Sequence, residues 1–287
     1  MTDAALRDAG VAELKKTTQG YLKSNAEPRA TEGAQWKKGL TLLEQIGQAS
    51  PPPPPSAAIY TADFEEGNFG EIVSNQAPAR CLITTTGALE GAKSVLVTCG
   101  PQDANQLYPG SPPRAEMEIK YIRDFFGGNP EGKDTFITWD AKLLSGWDHG
   151  TSASWAVLSQ ILGQTGTYFP AFSLYAVGPA PGALFAVVRG GTPSATDHWS
   201  GKPIASPLPL DQRLKIKLHH HWSTGASGLV EVFLNSQLAA SFSGPNNWFG
   251  YETTLYQKGG IYRTANGITH DSQMLYDNVR WYTSDPG

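Results

Sequence analysis

Cysteine is scarce in this chain, and its scarcity excludes two classes of protein. Two cysteines among 287 residues are too few for a disulfide-built scaffold or a thiolate metal site. Both lie in the stretch CLITTTGALEGAKSVLVTC, where two β-rich runs flank a Gly-bounded turn near Glu90. A hairpin there places Cys81 directly across from Cys99. The pair is therefore predicted either to form a bridge or to pack as two buried thiols.

Long apolar runs are also missing. No stretch reaches the roughly 18 apolar residues of a membrane-spanning helix. The start, MTDAALRDAGVAELKK, carries acidic residues where a secretory signal has a basic end followed by an apolar stretch. We expect a soluble protein that is made without an export signal and does not insert into a membrane.

Charge is low, and neither sign dominates. Charged residues make up 17% of the chain and the formal net charge is -4, which gives no general attraction to nucleic acid. The sequence has no Walker loop, no dinucleotide fingerprint after a strand, and no repeat of about 20 to 50 residues. No nucleic-acid partner and no cofactor are expected, and a structural calcium ion stays open.

Glycine and proline are abundant, with 31 and 21 copies. This composition favours short strands joined by many turns over long helices. The candidate strands are AEMEIKYI, DTFITWDAKL, SWAVLSQIL, AFSLYAV, ALFAVVRG, RLKIKLHHHW, LVEVFLNSQLAASF, GGIYRT and MLYDNVRWYT. Their number and hairpin-length gaps predict a mainly β fold, a two-sheet antiparallel sandwich of jelly-roll type.

The chain divides into three parts by pattern. Residues 1–49 show apolar residues at near-helical spacing and are predicted to form two short helices. Because such helices cannot make a domain alone, this segment either attaches to copies of itself or other proteins, or docks onto the main domain. SPPPPPS, residues 50–56, is a stiff polyproline linker. Residues 57–287 form the β domain.

Two stretches gather polar side chains on one face of a strand. In RAEMEIKY the alternation places Arg114, Glu116, Glu118 and Lys120 together, opposite an apolar face. In YQKGGIYR it places Tyr256, Lys258, Gly260 and Tyr262 together.

Gln160 is a third polar position of interest. In SWAVLSQILG it is expected to share a face with Ser154, Ala156, Leu158 and Leu162. A lone amide in a mostly apolar row needs a partner if it is buried, or else it lines a groove.

These pieces, taken in order, carry a family resemblance. An Arg-x-Glu strand, Gln-Ile in a strand preceded by Trp, GLVEVFLN, Tyr-x-Lys-x-Gly-Ile-Tyr-Arg and a closing YDNVRW follow one another between residues 57 and 284. The order resembles the polysaccharide-lyase jelly rolls, which have a concanavalin A-like fold and include heparin-lyase-like, alginate-lyase-like and glucuronan-lyase-like domains.

The resemblance implies cleavage of uronate polymers by β-elimination, in which neutralising the carboxylate makes the neighbouring proton acidic. It implies that Arg114 and Gln160 bind the uronate and that Tyr262 is base and acid. Lys258 is expected to help Tyr262 ionise, and Gly260 to leave space for a sugar ring. Other predicted substrate contacts on these strands are Glu116, Tyr256 and Arg263.

One position departs from the family pattern. Alginate-lyase-like relatives have Gln-x-His where this chain has Gln160-Ile161-Leu162. The expected imidazole is therefore replaced by Leu162, and two readings stay open: an active lyase, and a site that binds glycan without cutting it.

The run LKIKLHHHW resembles a metal site only superficially, because His220 points opposite to its two neighbours in a strand. His220 is expected in the core. His219 and His221 share a face with Lys215 and Lys217, and are predicted either to extend a basic groove wall or to lie on a solvated surface.

Several tryptophans lie in Gly/Asp/Asn-rich stretches that read as loops. Loop tryptophans suit stacking on sugar rings. The candidates are Trp147, Trp199 and Trp248.

A second, short resemblance concerns the N-terminus. ELKKTTQGYLKSN and TEGAQWKKGLTLLEQI are similar to the N-terminal portion of some actinobacteriophage minor tail proteins. This implies a virion tail protein whose jelly roll binds a host envelope polysaccharide and whose residues 1–49 contact other virion proteins or copies of the chain. The alternatives are an extracellular bacterial polysaccharide lyase and a purely structural virion decoration domain.

Overall fold

The computed structural model describes residues 56–70, 72–103, 111–121, 129–163, 169–191, 198–248 and 255–287. The predicted helical segment, residues 1–49, and residues 50–55 of the predicted linker lie outside these ranges, as do the side chains at positions 121, 198 and 199. Within the described ranges, no helix is long and apolar enough to cross a membrane.

Strands dominate the described structure, together with a 3-10 turn at Pro101–Asp103. The first eight strands are β1 (Tyr60–Ala62), β2 (Ser74–Asn75), β3 (Cys81–Thr84), β4 (Ser94–Cys99), β5 (Arg114–Tyr121), β6 (Asp134–Leu143), β7 (Trp155–Gly163) and β8 (Phe172–Val177). The others are β9 (Ala183–Gly190), β10 (His198–Ala205), β11 (Leu214–His221), β12 (Leu229–Leu234), β13 (Gln237–Ser243), β14 (Leu255–Arg263) and β15 (Ser272–Tyr282).

The strands form two antiparallel sheets. The front sheet has the order β10-β9-β8-β7-β14-β5-β2, and the back sheet has the order β13-β12-β11-β6-β15-β4-β3, with β1 paired to β15. Many neighbouring strands are consecutive in sequence, but others come from distant parts of the chain, as in β14 between β5 and β7. The predicted two-sheet jelly-roll sandwich is confirmed.

The core lies between the sheets and follows the alternation predicted for β5. Ala115, Met117 and Ile119 are buried against side chains of the back sheet such as Trp139 and Trp281. Each large apolar side chain removed from water in this way stabilises the fold by roughly 1.5–3 kcal/mol. The polar side chains of β5 therefore lie on the outer face of the front sheet.

A β-bulge in β7 changes which of its side chains face outward. The register of β7 against β8 shifts between Val157 and Ser159, and an extra residue at a bulge reverses the alternation beyond it. Ala156 and Leu158 consequently pack in the core, although Gln160 does not. The expectation that these three residues share a face was wrong.

The stretch LVEVFLNSQLAASF forms two strands instead of one candidate strand. Asn235 and Ser236 have φ of 51° and 68°, and Leu234 pairs with Gln237 across them. Two consecutive residues with positive φ make the tight turn that matches the twist of a hairpin.

The predicted hairpin around Glu90 exists, but its register differs from the expected one. Cys81 pairs with Val97, so Cys99 lies two residues farther along β4. Both thiols are free and buried, and burial raises the pKa of Cys81 to about 12. The cysteines therefore pack as protonated, apolar side chains, and the predicted bridge is not formed.

The histidines of β11 lie on the back sheet. His220 is fully buried, stacks on Trp222 and has its pKa lowered by burial to about 3, which confirms the expected core position. His219 contacts Asp134 and Glu231 at 2.9 Å each on the outer face of the back sheet, and His221 contacts Asp134 at 3.0 Å. Since β11 belongs to the back sheet, neither histidine extends a groove on the front sheet.

Asp277, buried in β15, gives the fold a pH dependence. Burial raises its pKa from 3.8 to about 6, and repulsion by Asp140 adds to the shift. Asp277 therefore binds its proton more tightly in the folded chain than in the unfolded chain. The contribution of Asp277 to the free energy of unfolding is greatest below about pH 4 and falls as pH rises to about 6. We expect a fall on the order of 2 kcal/mol in the free energy of unfolding across this window.

Urea unfolding at several pH values measures this effect, with Asp277→Asn as the test variant and Glu66→Gln, at an exposed position, as the control. Asp277→Asn should flatten the profile between pH 4 and 6, and the control should leave it as in the wild type. An unchanged slope in Asp277→Asn would assign the dependence to other groups.

Candidate functional site

A groove of about 910 Å³ lies on the outer face of the front sheet. Among its lining residues are all four predicted catalytic residues, Arg114, Gln160, Lys258 and Tyr262. They come from three adjacent strands, β5, β14 and β7. Arg114 pairs with Tyr262, and Lys258 pairs with Gln160, so strand pairing alone brings the four side chains together.

Arg114 and Tyr262 form one of the two strand-paired couples in this cluster. The guanidinium carbon of Arg114 lies 4.3 Å from the centroid of the Tyr262 ring, and its Nη2 donates a hydrogen bond of 2.9 Å to Ser111 Oγ. The Tyr262 ring also packs edge-on against Trp155, with centroids 5.2 Å apart. These contacts fix a cation directly beside a phenol.

The pKa of Tyr262 is raised above its ordinary value of 10, because the partly buried phenol is poorly solvated. Arg114 opposes this shift through its charge and a hydrogen bond, whereas Glu116 adds to it. The sequence predicted that Lys258 lowers this pKa. That prediction was wrong on both counts, since the pKa rises and the cation that acts on the phenol is Arg114.

Lys258 is held by neighbours at the floor of the groove. Its Nζ donates a hydrogen bond of 2.9 Å to Gln76 Oε1 and lies 3.9 Å from a carboxylate oxygen of Glu118. The ring of Tyr256 lies 5.6 Å from the same Nζ. Tyr256 is itself buried and does not line the groove, so its contact is with Lys258 instead of with a ligand.

Gln160 is oriented by a carboxylate beneath it. Its Nε2 donates a hydrogen bond of 2.6 Å to Glu116 Oε1, and Glu116 is only 2% exposed. The other carboxylate oxygen, Oε2, has no hydrogen-bond partner in the described part of the chain. Glu116 was predicted to contact substrate, but it is not among the residues that line the groove, and its contact is with the amide of Gln160. This bond fixes the orientation of the planar amide, and therefore also the direction of the second N–H of Nε2.

Leu162 lines the groove at the position where the family resemblance implied an imidazole. No histidine is found among the described residues that line the groove. Two phenols line the groove, and each lies beside a guanidinium: Tyr262 beside Arg114 and Tyr175 beside Arg189.

Gly260 is required by the backbone geometry of β14 and is not among the residues that line the groove. Its φ is +134°, and a Cβ there would collide with the carbonyl oxygen of Ala115 on β5. Only glycine tolerates this close approach of two strands. The predicted role of leaving space for a sugar ring was wrong.

Arg263 and two of the predicted stacking tryptophans lie in the interior. Arg263 is 1% exposed, hydrogen-bonds Ser272 and the carbonyl of Asp148, and covers the ring of Trp147. Trp248 is equally buried and donates to the carbonyl of Phe169 at 2.7 Å. None of the three lines the groove, and the predicted ligand contacts are corrected accordingly. Trp199 is in β10, and its side chain is outside the description.

Comparison with known proteins shows the family of the chain. A family model for polysaccharide lyases matches residues 61–280. The chain belongs to the polysaccharide lyase family. A search of curated protein sequences gave no significant match.

Solved structures share the fold of this lyase-family chain. A glucuronan lyase from the fungus Trichoderma reesei aligns with a TM-score of 0.62 at 14% identity, over 80% of this chain and 99% of the other. An alginate lyase from Klebsiella pneumoniae aligns with a TM-score of 0.49 at 11% identity, over 72% and 86%. The likeness to the glucuronan lyase, at 14% identity, shows the jelly-roll fold alone.

The groove also contains aromatic residues that the sequence analysis missed. Trp155 and Tyr175 lie edge-on to each other, with centroids 6.2 Å apart, and Phe185 pairs with Tyr175 across β9 and β8. Phe169 is 63% exposed near the same surface. Their strands are apolar on both faces, so alternation alone does not distinguish the groove face from the core face.

The described part of this lyase domain contains no group of three or more His, Cys, Asp or Glu side chains arranged to hold a metal ion. The groove itself presents two guanidiniums, an ammonium, an amide and two phenols, from Arg114, Arg189, Lys258, Gln160, Tyr262 and Tyr175. Such a set neutralises a carboxylate and exchanges a proton with a neighbouring atom.

Proposed function

We propose that the jelly roll binds an acidic polysaccharide and that a uronate unit lies over Arg114, Gln160, Lys258 and Tyr262. The observation that supports this function is the convergence of those four side chains, from three strands, on one groove. A carboxylate in this position pairs with the Arg114 guanidinium, the strongest hydrogen-bonding partner for a planar anion. Gln160 and Lys258 contribute further donors at the floor.

The direct test is binding of a panel of soluble oligouronates, including oligoglucuronate and oligomannuronate, measured by calorimetry. We expect at least one to bind, with an affinity that falls as salt rises because the pairing is electrostatic. Binding of none of them, or binding that is indifferent to salt, would contradict the proposal.

Cleavage by β-elimination is the second candidate, and the placement of Arg114 beside Tyr262 favours it. In this reaction a base removes the proton next to the carboxylate, a double bond forms between C4 and C5, and the C4–oxygen bond breaks. The departing oxygen takes a proton. Arg114 neutralises the carboxylate, and Tyr262 is close enough to accept the first proton as phenolate and return it to the departing oxygen.

Elimination should show a Tyr262-specific dependence on pH. Because the pKa of Tyr262 is raised by burial, little phenolate exists at neutral pH, and the rate should keep rising through pH 9 toward 10. The ultraviolet absorbance of the unsaturated product measures it. Tyr262→Phe should lower the rate at least about 100-fold, the usual contribution of general acid–base catalysis.

Tyr175→Phe is the matched control, since Tyr175 is a second phenol in the same groove and is bonded to Arg189 at 3.2 Å. Equal losses in the two variants would contradict the assigned role of Tyr262. Binding without any product on every polymer tested would leave a binding module. Absence of both would favour the purely structural alternative.

We also propose that the chain is a phage tail protein that carries this jelly roll to a host envelope polysaccharide, with residues 1–49 contacting other virion proteins or copies of the chain. The resemblance of residues 13–25 and 31–46 to phage tail proteins supports this proposal. Antibodies against the jelly roll should label the tails of phage particles in electron micrographs. Unlabelled particles would contradict it and favour the extracellular bacterial lyase.

A further inference from the structure

The groove has two chemically different parts. The polar part consists of the four side chains on β5, β14 and β7 described above. The other part lies across β7, β8 and β9 and is mostly apolar; we call it the apolar platform, and its residues are Trp155, Val157, Tyr175, Val177, Phe185 and Val187. An apolar surface in the same groove as a set of charged groups marks a ligand with both characters.

Strand pairing makes the platform continuous with the polar part. Tyr262 pairs with Val157, Val157 pairs with Tyr175, and Tyr175 pairs with Phe185. At about 4.8 Å between neighbouring strands, the platform extends roughly 10 Å from β7 to β9. The apolar platform is therefore directly adjacent to Tyr262.

Two of the three cations that line the described groove belong to its polar part. Arg114 and Lys258 lie on the β5 and β14 side, and the groove-lining residues described on β7 and β8 include no cation. Arg189, the third cation that lines the groove, follows on β9 and donates to the hydroxyl of Tyr175 and the carbonyl of Pro170 at 3.2 and 3.3 Å.

This arrangement disfavours an unsubstituted polyuronate on the platform. Such a polymer carries a carboxylate on every sugar, and the units beyond Tyr262 would place charges over Val157, Val177 and Phe185. Removing water from a charge without a partner is costly. A hydrocarbon substituent at the same place gains from leaving water.

We infer that the groove takes an acidic glycan substituted with an acyl or alkyl group, with the uronate at Arg114 and Lys258 and the hydrocarbon on the apolar platform. This inference rests on the proposed function and specifies its ligand. The platform is the part of the groove that selects among acidic glycans, because the charged part recognises the uronate in all of them.

Three defined glycosides test the inference with the full chain: octyl β-glucuronide, methyl β-glucuronide and octyl β-glucoside, each below its micelle concentration. Octyl glucuronide should bind about 30-fold more tightly than methyl glucuronide, since several methylene groups leave water. In the double variant Val177→Thr, Phe185→Tyr, at two partly exposed platform positions, this ratio should fall to about 3-fold or less. The replacements are near-isosteric, and a thermal unfolding curve verifies the fold.

Each other outcome has a definite meaning. Equal affinity for octyl and methyl glucuronide would overturn the inference and leave carboxylate recognition intact. Equal affinity for octyl glucoside and octyl glucuronide would overturn both, because the charge would then contribute nothing. Binding of neither glucuronide would also overturn both. A ratio that persists in the double variant would show that the platform does not hold the chain.

Discussion

Replacing Arg114 with alanine should weaken binding of the best oligouronate about 100-fold. Two hydrogen bonds to a charged group contribute on the order of 3 kcal/mol together, which corresponds to roughly this factor. Arg114 is the cation beside Tyr262 at 4.3 Å, and Lys258 is already engaged with Gln76 and Glu118. Calorimetric titration at fixed salt measures the loss.

Lys217→Ala is the control for the loss of one positive charge. Lys217 is on β11 of the back sheet and pairs with Asp285 at 2.7 Å, so its removal should change the affinity little. Arg114→Lys should recover only part of the binding, because an ammonium lacks the planar fork. Equal losses in Arg114→Ala and Lys217→Ala would show that only net charge matters and would remove Arg114 from the site.

Alanine at Gly260 should produce the largest loss of stability, about 4 kcal/mol or more. The backbone there has φ of +134°, and the added Cβ would collide with the backbone of Ala115. The clash is with main-chain atoms, which cannot rotate away, so β14 and β5 must separate. For a domain of this size the midpoint of thermal unfolding should fall by about 10 °C.

Gly132→Ala separates the clash from the conformational strain. Gly132 also has positive φ, +71°, but a Cβ there meets nothing within 4 Å, and the expected cost is about 1 kcal/mol. Similar midpoints for the two variants would contradict the account of the β5–β14 contact. Since β14 carries Lys258 and Tyr262, a Gly260→Ala chain that still folds should also bind more weakly.

Alternation along single strands predicted the polar part of the groove because β5 pairs regularly with β14 from Arg114 to Glu118. Arg114 and Tyr262 pair directly, so two polar faces read separately meet in the sheet. The same reasoning placed Leu162 correctly beside Gln160 but failed for Ala156 and Leu158, since the bulge between Val157 and Ser159 depends on packing against β8. The alternation of residues along one strand does not show where pairing with another strand places a bulge.

Other predictions were wrong because they depended on strand order and register, which are set when the two sheets assemble. His219 and His221 alternate as expected, but β11 pairs with β6 in the back sheet, opposite the groove. Cys81 and Cys99 belong to the predicted hairpin, yet its register places Val97 across from Cys81. Trp147 was read as an exposed loop residue although Arg263 covers its ring. Strand order and register are long-range properties, which local patterns do not fix.

The most direct measurement of the central claim compares one oligoglucuronate with its carboxyl-reduced form, which has the same length and linkage but no charge. Calorimetry on the wild-type chain should give an affinity for the reduced form that is at least tenfold lower, because the guanidinium of Arg114 then has no anion to pair with. Equal affinity for the two oligosaccharides would contradict a carboxylate-binding groove.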